Sequence, residues 1–170
     1  CSRATKSRFF RRSPAVDEAP MSVSVQTSDF DAGAEIAAMR RDPSVGAIVT
    51  FVGTVRDVNE GDHVASLTLE HYPGMTEKAL ADIVEQAHGR WSLNAVRVIH
   101  RVGTLTAGDQ IVFVGVAGRH RGECFAACEF IMDYLKTQAP FWKKEATDRG
   151  ERWVEARDSD DQAAQRWQQG

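Results

Sequence analysis

The stretch FWKKEATDRGERWVEAR, residues 141–157, decides the fold class. It divides into FWKKEAT, a DRG turn and ERWVEAR, which reads as two adjacent strands joined by a short loop. Neighbouring strands joined in this way run antiparallel and need no crossover helix, so a chain that closes on such a hairpin is not a purely parallel α/β sheet. Upstream, strands and helices alternate. The combination predicts an α+β protein: a mixed β-sheet with packed helices, in a single domain with a C-terminal β-hairpin.

Working back from the hairpin, Pro140 stops a helix of roughly 16 residues that begins near Arg121, with Phe125, Cys128, Met132 and Leu135 as its apolar stripe. Before it, AVRVIHRVG (95–103) and QIVFVGVAG (110–118) read as strands joined through the turn TAGD. From Met75 to Trp91 apolar residues recur at Met75, Ala79, Ile83, Ala87 and Trp91, flanked by Leu80 and Val84, a helical period. VASLTLEHY (64–72) alternates as a strand with one buried face until Pro73-Gly74 breaks it, and VNEGDH before it reads as a turn. GAIVTFVGTVRD (46–57) is β-branched and nearly continuous in apolar character, so a buried strand ending at Arg56-Asp57 is expected. SDFDAGAEIAAMRRDP reads as a short helix ended at Asp42-Pro43, and the polar tail after Arg157 as another.

The 170 residues suit one domain with a substantial core, and 42% hydrophobic with 26% charged residues is a globular balance. No apolar run approaches the ~20 residues of a membrane span. A net charge of −3 gives no reason to expect nucleic-acid binding. The charge is uneven: five cations against two anions give residues 1–20 a balance of +3, leaving −6 for the rest. That Arg/Ser-rich opening has neither helical nor strand period. It is expected to be a disordered extension, non-native or upstream, ahead of a domain at 21–170 that begins with Met21. The three cysteines, Cys1, Cys124 and Cys128, form no disulfide framework, which suggests a reducing, cytoplasmic setting. No Cys/His cluster has zinc spacing, and no metal site is expected.

Two places could carry chemistry. GRHRGE (118–123) sets Arg119, His120 and Arg121 where a helix begins, although the dipole there disfavours cations. Free N–H groups and basic side chains together bind anions, although a solvated basic turn has the same composition. The second is MDYLKTQAPFWKKE (132–145), with Lys136 bordering an apolar stripe and Lys143 sharing a strand face with Phe141 and Glu145. Each lysine alone has an ordinary reading, as a helix C-terminal cation or an exposed strand residue. Together, beside apolar walls and other cations, one amine is pushed towards neutrality and becomes a nucleophile or base; left charged, it stabilises an oxyanion. Arg56 and Arg157 are further cations able to converge there on an anionic substrate. Cys124 and Cys128 read as helix packing, His71 and His100 as structural or surface residues, and the four tryptophans as core or interface.

Several of these segments are also familiar together. LTLEHYPGMTEKAL, VIHRVG, IVFVGVA, HRGECF, FIMDYLKTQAPFWKKE and RWVEAR resemble, in order and spacing, the large catalytic subunit of the molybdopterin synthase family, from Gly46 to Arg157. The resemblance implies an α/β-hammerhead-like fold and a sulfurtransferase that converts cyclic pyranopterin monophosphate to molybdopterin by dithiolene formation, with no tightly bound cofactor. It implies a small ubiquitin-like partner whose C-terminal glycine thiocarboxylate supplies the sulfur, and a homodimer within a heterotetramer. By motif, Lys136 and Lys143 are similar to the family's active-site lysines, and Arg56, His120, Arg121 and Arg157 to its anion-pocket residues. One departure is that GR precedes the HR pair where a small hydroxyl residue is common in the family; Gly118 is expected to serve near the helix start. Two rivals stand beside this reading: a non-catalytic module binding a phosphorylated pterin or similar anion, and a chain that carries sulfur itself as a persulfide on Cys124 or Cys128.

Overall fold

The computed structural model describes residues 22–155 and 157–169. The expected extension at 1–20 and the start at Met21 lie outside the described residues. Among the described residues the elements are β1 (Val23–Gln26), α1 (Ala32–Met39), β2 (Ala47–Thr54), β3 (Val58–Asn59), β4 (Asp62–His71), α2 (Met75–Arg90) and β5 (Leu93–Arg101). They continue with β6 (Gly103–Leu105), β7 (Gln110–Gly118), α3 (Arg121–Gln138), β8 (Phe141–Thr147), β9 (Gly150–Val154), α4 (Asp158–Gln165) and a 3-10 turn at Arg166–Gln169.

The strands form two sheets, ordered β1-β5-β7-β2 and β3-β4-β8-β9, with β6 added to β4. Only β1–β5 is parallel among the registered pairs; the others are antiparallel, and β8–β9 is the predicted closing hairpin, with Thr147 opposite Gly150. The expected mixed α+β class is borne out. Period-two alternation explains the first sheet: Val96, Val98, Val112, Val114 and Val116 pack with α2 and α3, while Ile99 and Phe113 pack on the opposite face with Phe30 and α1. Coverage on both faces makes β7 read as a continuous apolar run. The second sheet has a small apolar centre of Val55, Leu67, Leu69 and Leu105. Gly103 links the two sheets at φ 92°, a left-handed conformation that lets the chain leave β5 and enter β6 after a single residue.

Four local expectations are corrected. β2 is not buried: it forms the edge of its sheet, pairs only with β7, and leaves Phe51 and Val52 exposed. VNEGDH is a β-hairpin, not only a turn, because Val58 and Asn59 pair with His63 and Asp62. In β4 a register shift between Val64 and Ser66 puts Val64 in the core together with Leu67 and Leu69, which strict alternation keeps apart. On α3 the buried stripe is Cys124, Ala127, Cys128, Ile131, Tyr134 and Leu135, with Phe130, and Phe125 faces out. The helix packs on both the sheet and α2, so its buried arc is wider than one stripe and rotated from the predicted one.

Candidate functional site

α3 ends at Gln138, Ala139 is extended, and Pro140 cannot continue a helix, so the chain turns straight into β8. Thr76 pins that turn: its buried hydroxyl accepts from the Tyr72 N–H and donates to the Pro140 carbonyl at 3.0 Å. Lys136 on the last turn of α3 and Lys143 on β8 are thereby set beside each other, and α4 adds Asp160, whose Oδ1 lies 3.8 Å from Lys136 Nζ. Lys136 is exposed, whereas Lys143 is half-buried. Burial, then the neighbouring Lys136 and Arg157 charges, push the Lys143 ammonium below the ordinary lysine range, against the opposing pull of Asp160 and Glu145.

The arginines meet at one amide. Asn59 Oδ1 accepts from Arg56 Nη2 at 3.2 Å and from Arg157 Nη2 at 3.3 Å. A cavity of about 560 Å³ opens beside Asn59, its charged lining made of Arg152 and Arg157 with Glu60, Glu155 and Asp158. The charges of Lys136 and Arg157 act on Lys143, and Arg157 shares Asn59 with Arg56, so these four side chains occupy one neighbourhood.

His120 and Arg121 do not join them within one chain. They sit with Arg119 at the start of α3, around a separate concavity of about 480 Å³ shared with Gly46 and Ala47. Arg121 and Lys136 are fifteen residues apart on one helix, about 22 Å at 1.5 Å per residue. Within one chain an unbroken helix holds the two basic clusters at opposite ends. His120 is the N-cap and makes no side-chain capping bond. Gly118 does not cap: it ends β7, and a Cβ there would press on Cys124 Sγ. Gly46 is the tight position, since a Cβ would collide with the Arg119 carbonyl.

Other candidates take structural places. Cys124 and Cys128 are buried; burial raises both thiols, Cys128 to about 11, which disfavours the thiolate a persulfide carrier needs. His100 is buried and stacked on Phe141 at 3.8 Å, and His71 is half-buried 3.6 Å from Glu77. Trp91 and Trp167 pack edge-on with Phe130, while Trp142 and Trp153 are exposed. Among the described residues no three His, Cys, Asp or Glu side chains are placed to hold a metal, and no helix is long and apolar enough to cross a membrane.

The model of the MoaE protein family matches residues 25–138. The chain belongs to the MoaE family. The molybdopterin synthase catalytic subunit of Vibrio cholerae is 61% identical over 146 residues, covering 86% of this chain and 97% of that protein. The protein of the same name from Escherichia coli is 62% identical over 138 residues, 81% of this chain and 92% of that one. The structure of a molybdopterin biosynthesis MoaE protein from Burkholderia ambifaria superposes with a TM-score of 0.74 at 57% identity, covering 86% and 97%. The resemblance seen in the motifs is borne out, and with it the reading of the chain as an enzyme of the molybdopterin synthase type, ahead of a silent binding module.

Reading the sequence missed Asn59, Arg152 and Asp160 as members of this site. Asn59 lies in a stretch that reads as a turn, and Asp160 in a polar tail. Only Glu145 carried a signal, its shared strand face with Lys143.

Proposed function

We propose that this MoaE-family chain converts cyclic pyranopterin monophosphate to molybdopterin, with sulfur supplied as the C-terminal thiocarboxylate of a small ubiquitin-like partner. The observation that carries the reading is the pair of lysines, one exposed and one desolvated, beside two arginines that converge on one amide. In this reading Arg56 and Arg157 hold the substrate phosphate and help seat the partner's carboxyl terminus. The carrier sulfur displaces an oxygen substituent at a pterin side-chain carbon, which leaves with a proton. Water, or the Lys136 amine followed by water, then adds at the carrier carbonyl, the carbonyl–sulfur bond breaks, and sulfur stays on the pterin while the carrier leaves as its glycine carboxylate. Lys136, which solvent reaches, does the covalent or general acid–base work at that carbonyl. Lys143, whose ammonium burial pushes below the ordinary lysine range, assists Lys136 by charge or by shifting its pKa.

His120 and Arg121 enter this site from a second copy. The motifs imply a homodimer, and α3 keeps these residues away from the lysines of their own chain. Two separated clusters complete each other when a dimer sets the start of one α3 against the end of the other.

The test is reconstitution: purified chain, thiocarboxylated small partner and cyclic pyranopterin monophosphate, with molybdopterin followed by mass. Product is expected. Its absence, with precursor and partner both shown to bind, overturns the reading. Co-expressed Lys136→Ala and Arg121→Ala chains, each inactive alone, are expected to recover roughly a quarter of normal activity through mixed dimers. No recovery from demonstrated mixed dimers would put each site within one copy.

A further inference from the structure

Asn59 is 8% exposed and occupies the second residue of the two-residue strand β3. A tight turn holds it there, with Glu60 at φ 53° and Gly61 at φ 85°. Two successive positive φ values are the signature of the hairpin turn that matches strand twist, and Glu60 is the single non-glycine residue at positive φ among those described. The chain thus accepts a strained backbone to present this side chain. The amide makes three bonds: Oδ1 accepts from Arg56 and Arg157, and Nδ2 donates to Glu145 Oε1 at 2.8 Å.

The orientation of that amide is not free. A guanidinium only donates and a carboxylate only accepts, so Oδ1 must face the arginines and Nδ2 must face Glu145. Glu145 is itself 6% exposed and locked, its Oε2 accepting from Arg152 Nε at 3.2 Å and Nη2 at 3.1 Å. Arg152 also donates to Asp62 at 2.9 Å and to the Asn59 carbonyl at 3.1 Å. A chain of partly buried charge-assisted bonds therefore ends in one neutral oxygen that takes a single N–H from each of two guanidiniums. A carboxylate at position 59 would hold the arginines as well but cancel a positive charge. The amide holds them and leaves both charges available to an anion.

From this we infer that Asn59 is a positioning residue that aims Arg56 and Arg157 at the substrate's phosphate while leaving their charge uncompensated, with Glu145 and Arg152 fixing its amide. This rests on the proposed reaction and adds to it the residue that tunes its anion site.

The test uses Asn59→Ala, Asn59→Asp and the exchange variant Asn59→Asp/Glu145→Gln, in the assembled enzyme with the small partner. Asn59→Ala and Asn59→Asp are expected to raise KM for cyclic pyranopterin monophosphate roughly tenfold or more, with smaller changes in kcat and in KM for the partner, whose carboxyl terminus the same arginines help to seat. The exchange variant restores an amide–carboxylate bond with donor and acceptor reversed. It is expected to regain thermal stability while KM stays raised, because a carboxylate now faces the arginines. Recovery of normal KM in the exchange variant would show that only the bond matters and would overturn the proposal, as would an unchanged KM in folded Asn59→Ala. Should both single variants fail to fold, the exchange variant alone carries the decision. A wild-type enzyme that binds the substrate but forms no product would instead overturn the reaction and leave Asn59 to be judged by substrate Kd, on which the same shifts are expected.

Discussion

β7 and β8 are both interior strands, each paired on two sides, yet they bury opposite kinds of residue. From Val112 to Gly118 every residue of β7 is buried, and the chemistry is apolar throughout. Along β8 only Glu145 is buried, and it is a carboxylate held by Arg152 and Asn59. The first sheet is thus stabilised chiefly by removing apolar surface from water, whereas the second carries a satisfied ion network beside its small apolar centre. Such a network adds little net stability compared with well-packed apolar residues, so its presence in the second sheet needs another reason. The cations it borders, Arg56, Arg157 and Lys143, supply that reason.

The sharpest break of this contrast is Lys136→Ala. Removing a reacting or charge-stabilising group is expected to lower product formation about 10²–10⁴-fold. Its contact with Asp160 is long and half-exposed, a pair that contributes little to stability, so the melting temperature should barely move. Product by mass and a thermal melt on one preparation decide it. Near-normal turnover would remove Lys136 from the chemistry, and a large loss of stability would give the second sheet the same role as the first.

Phe113→Ala is the mirror image. The ring is fully buried against Phe30, 5.9 Å between centroids, and its loss is expected to cost about 3–5 kcal/mol by chemical denaturation. The site lies on other strands, so the folded fraction should keep its turnover per molecule. A fall in turnover without a loss of stability would mean that α1 and β7 shape the site directly.

The same contrast explains what could be read from the sequence. Apolar periodicity locates β2, β5, β7 and α2, but not the four-residue edge strand β1, and the hairpin is visible from its turn. Elements whose environment depends on distant neighbours were misread: β2 is apolar but lies at an edge, and the stripe on α3 is set by what packs there. Lys136 and Lys143 stand seven residues apart in one unusual stretch, and His120 and Arg121 are adjacent, so all four were legible. Asn59 meets Glu145 across 86 positions, a pairing that no local pattern encodes. That the two basic clusters are separate follows only from the length of α3.

His100 joins the two regions and yields the mildest test. It belongs to β5 of the first sheet, but its ring stacks on Phe141 at the start of β8. Burial is the main cause that takes its pKa from 6.5 to about 4, with Lys143 and His71 adding to the effect and a bond to the Arg101 carbonyl at 2.8 Å opposing it. Between these values the unfolded chain binds a proton that the native state refuses. Stability therefore falls as pH drops from 6.5 towards 4, and above 6.5 the group makes no difference. The full span corresponds to about 3 kcal/mol, present only at the acid end. Asp29 and Asp42, whose carboxyls are held below their ordinary value of 3.8, lose their contributions at still lower pH and leave this window clear. His100→Phe keeps a ring against Phe141 and removes the titrating group. Urea denaturation at pH 4.5 and pH 7 should then show a smaller difference than in the parent chain. An equally steep acid decline in the variant would show that His100 is not the group that sets the pH dependence.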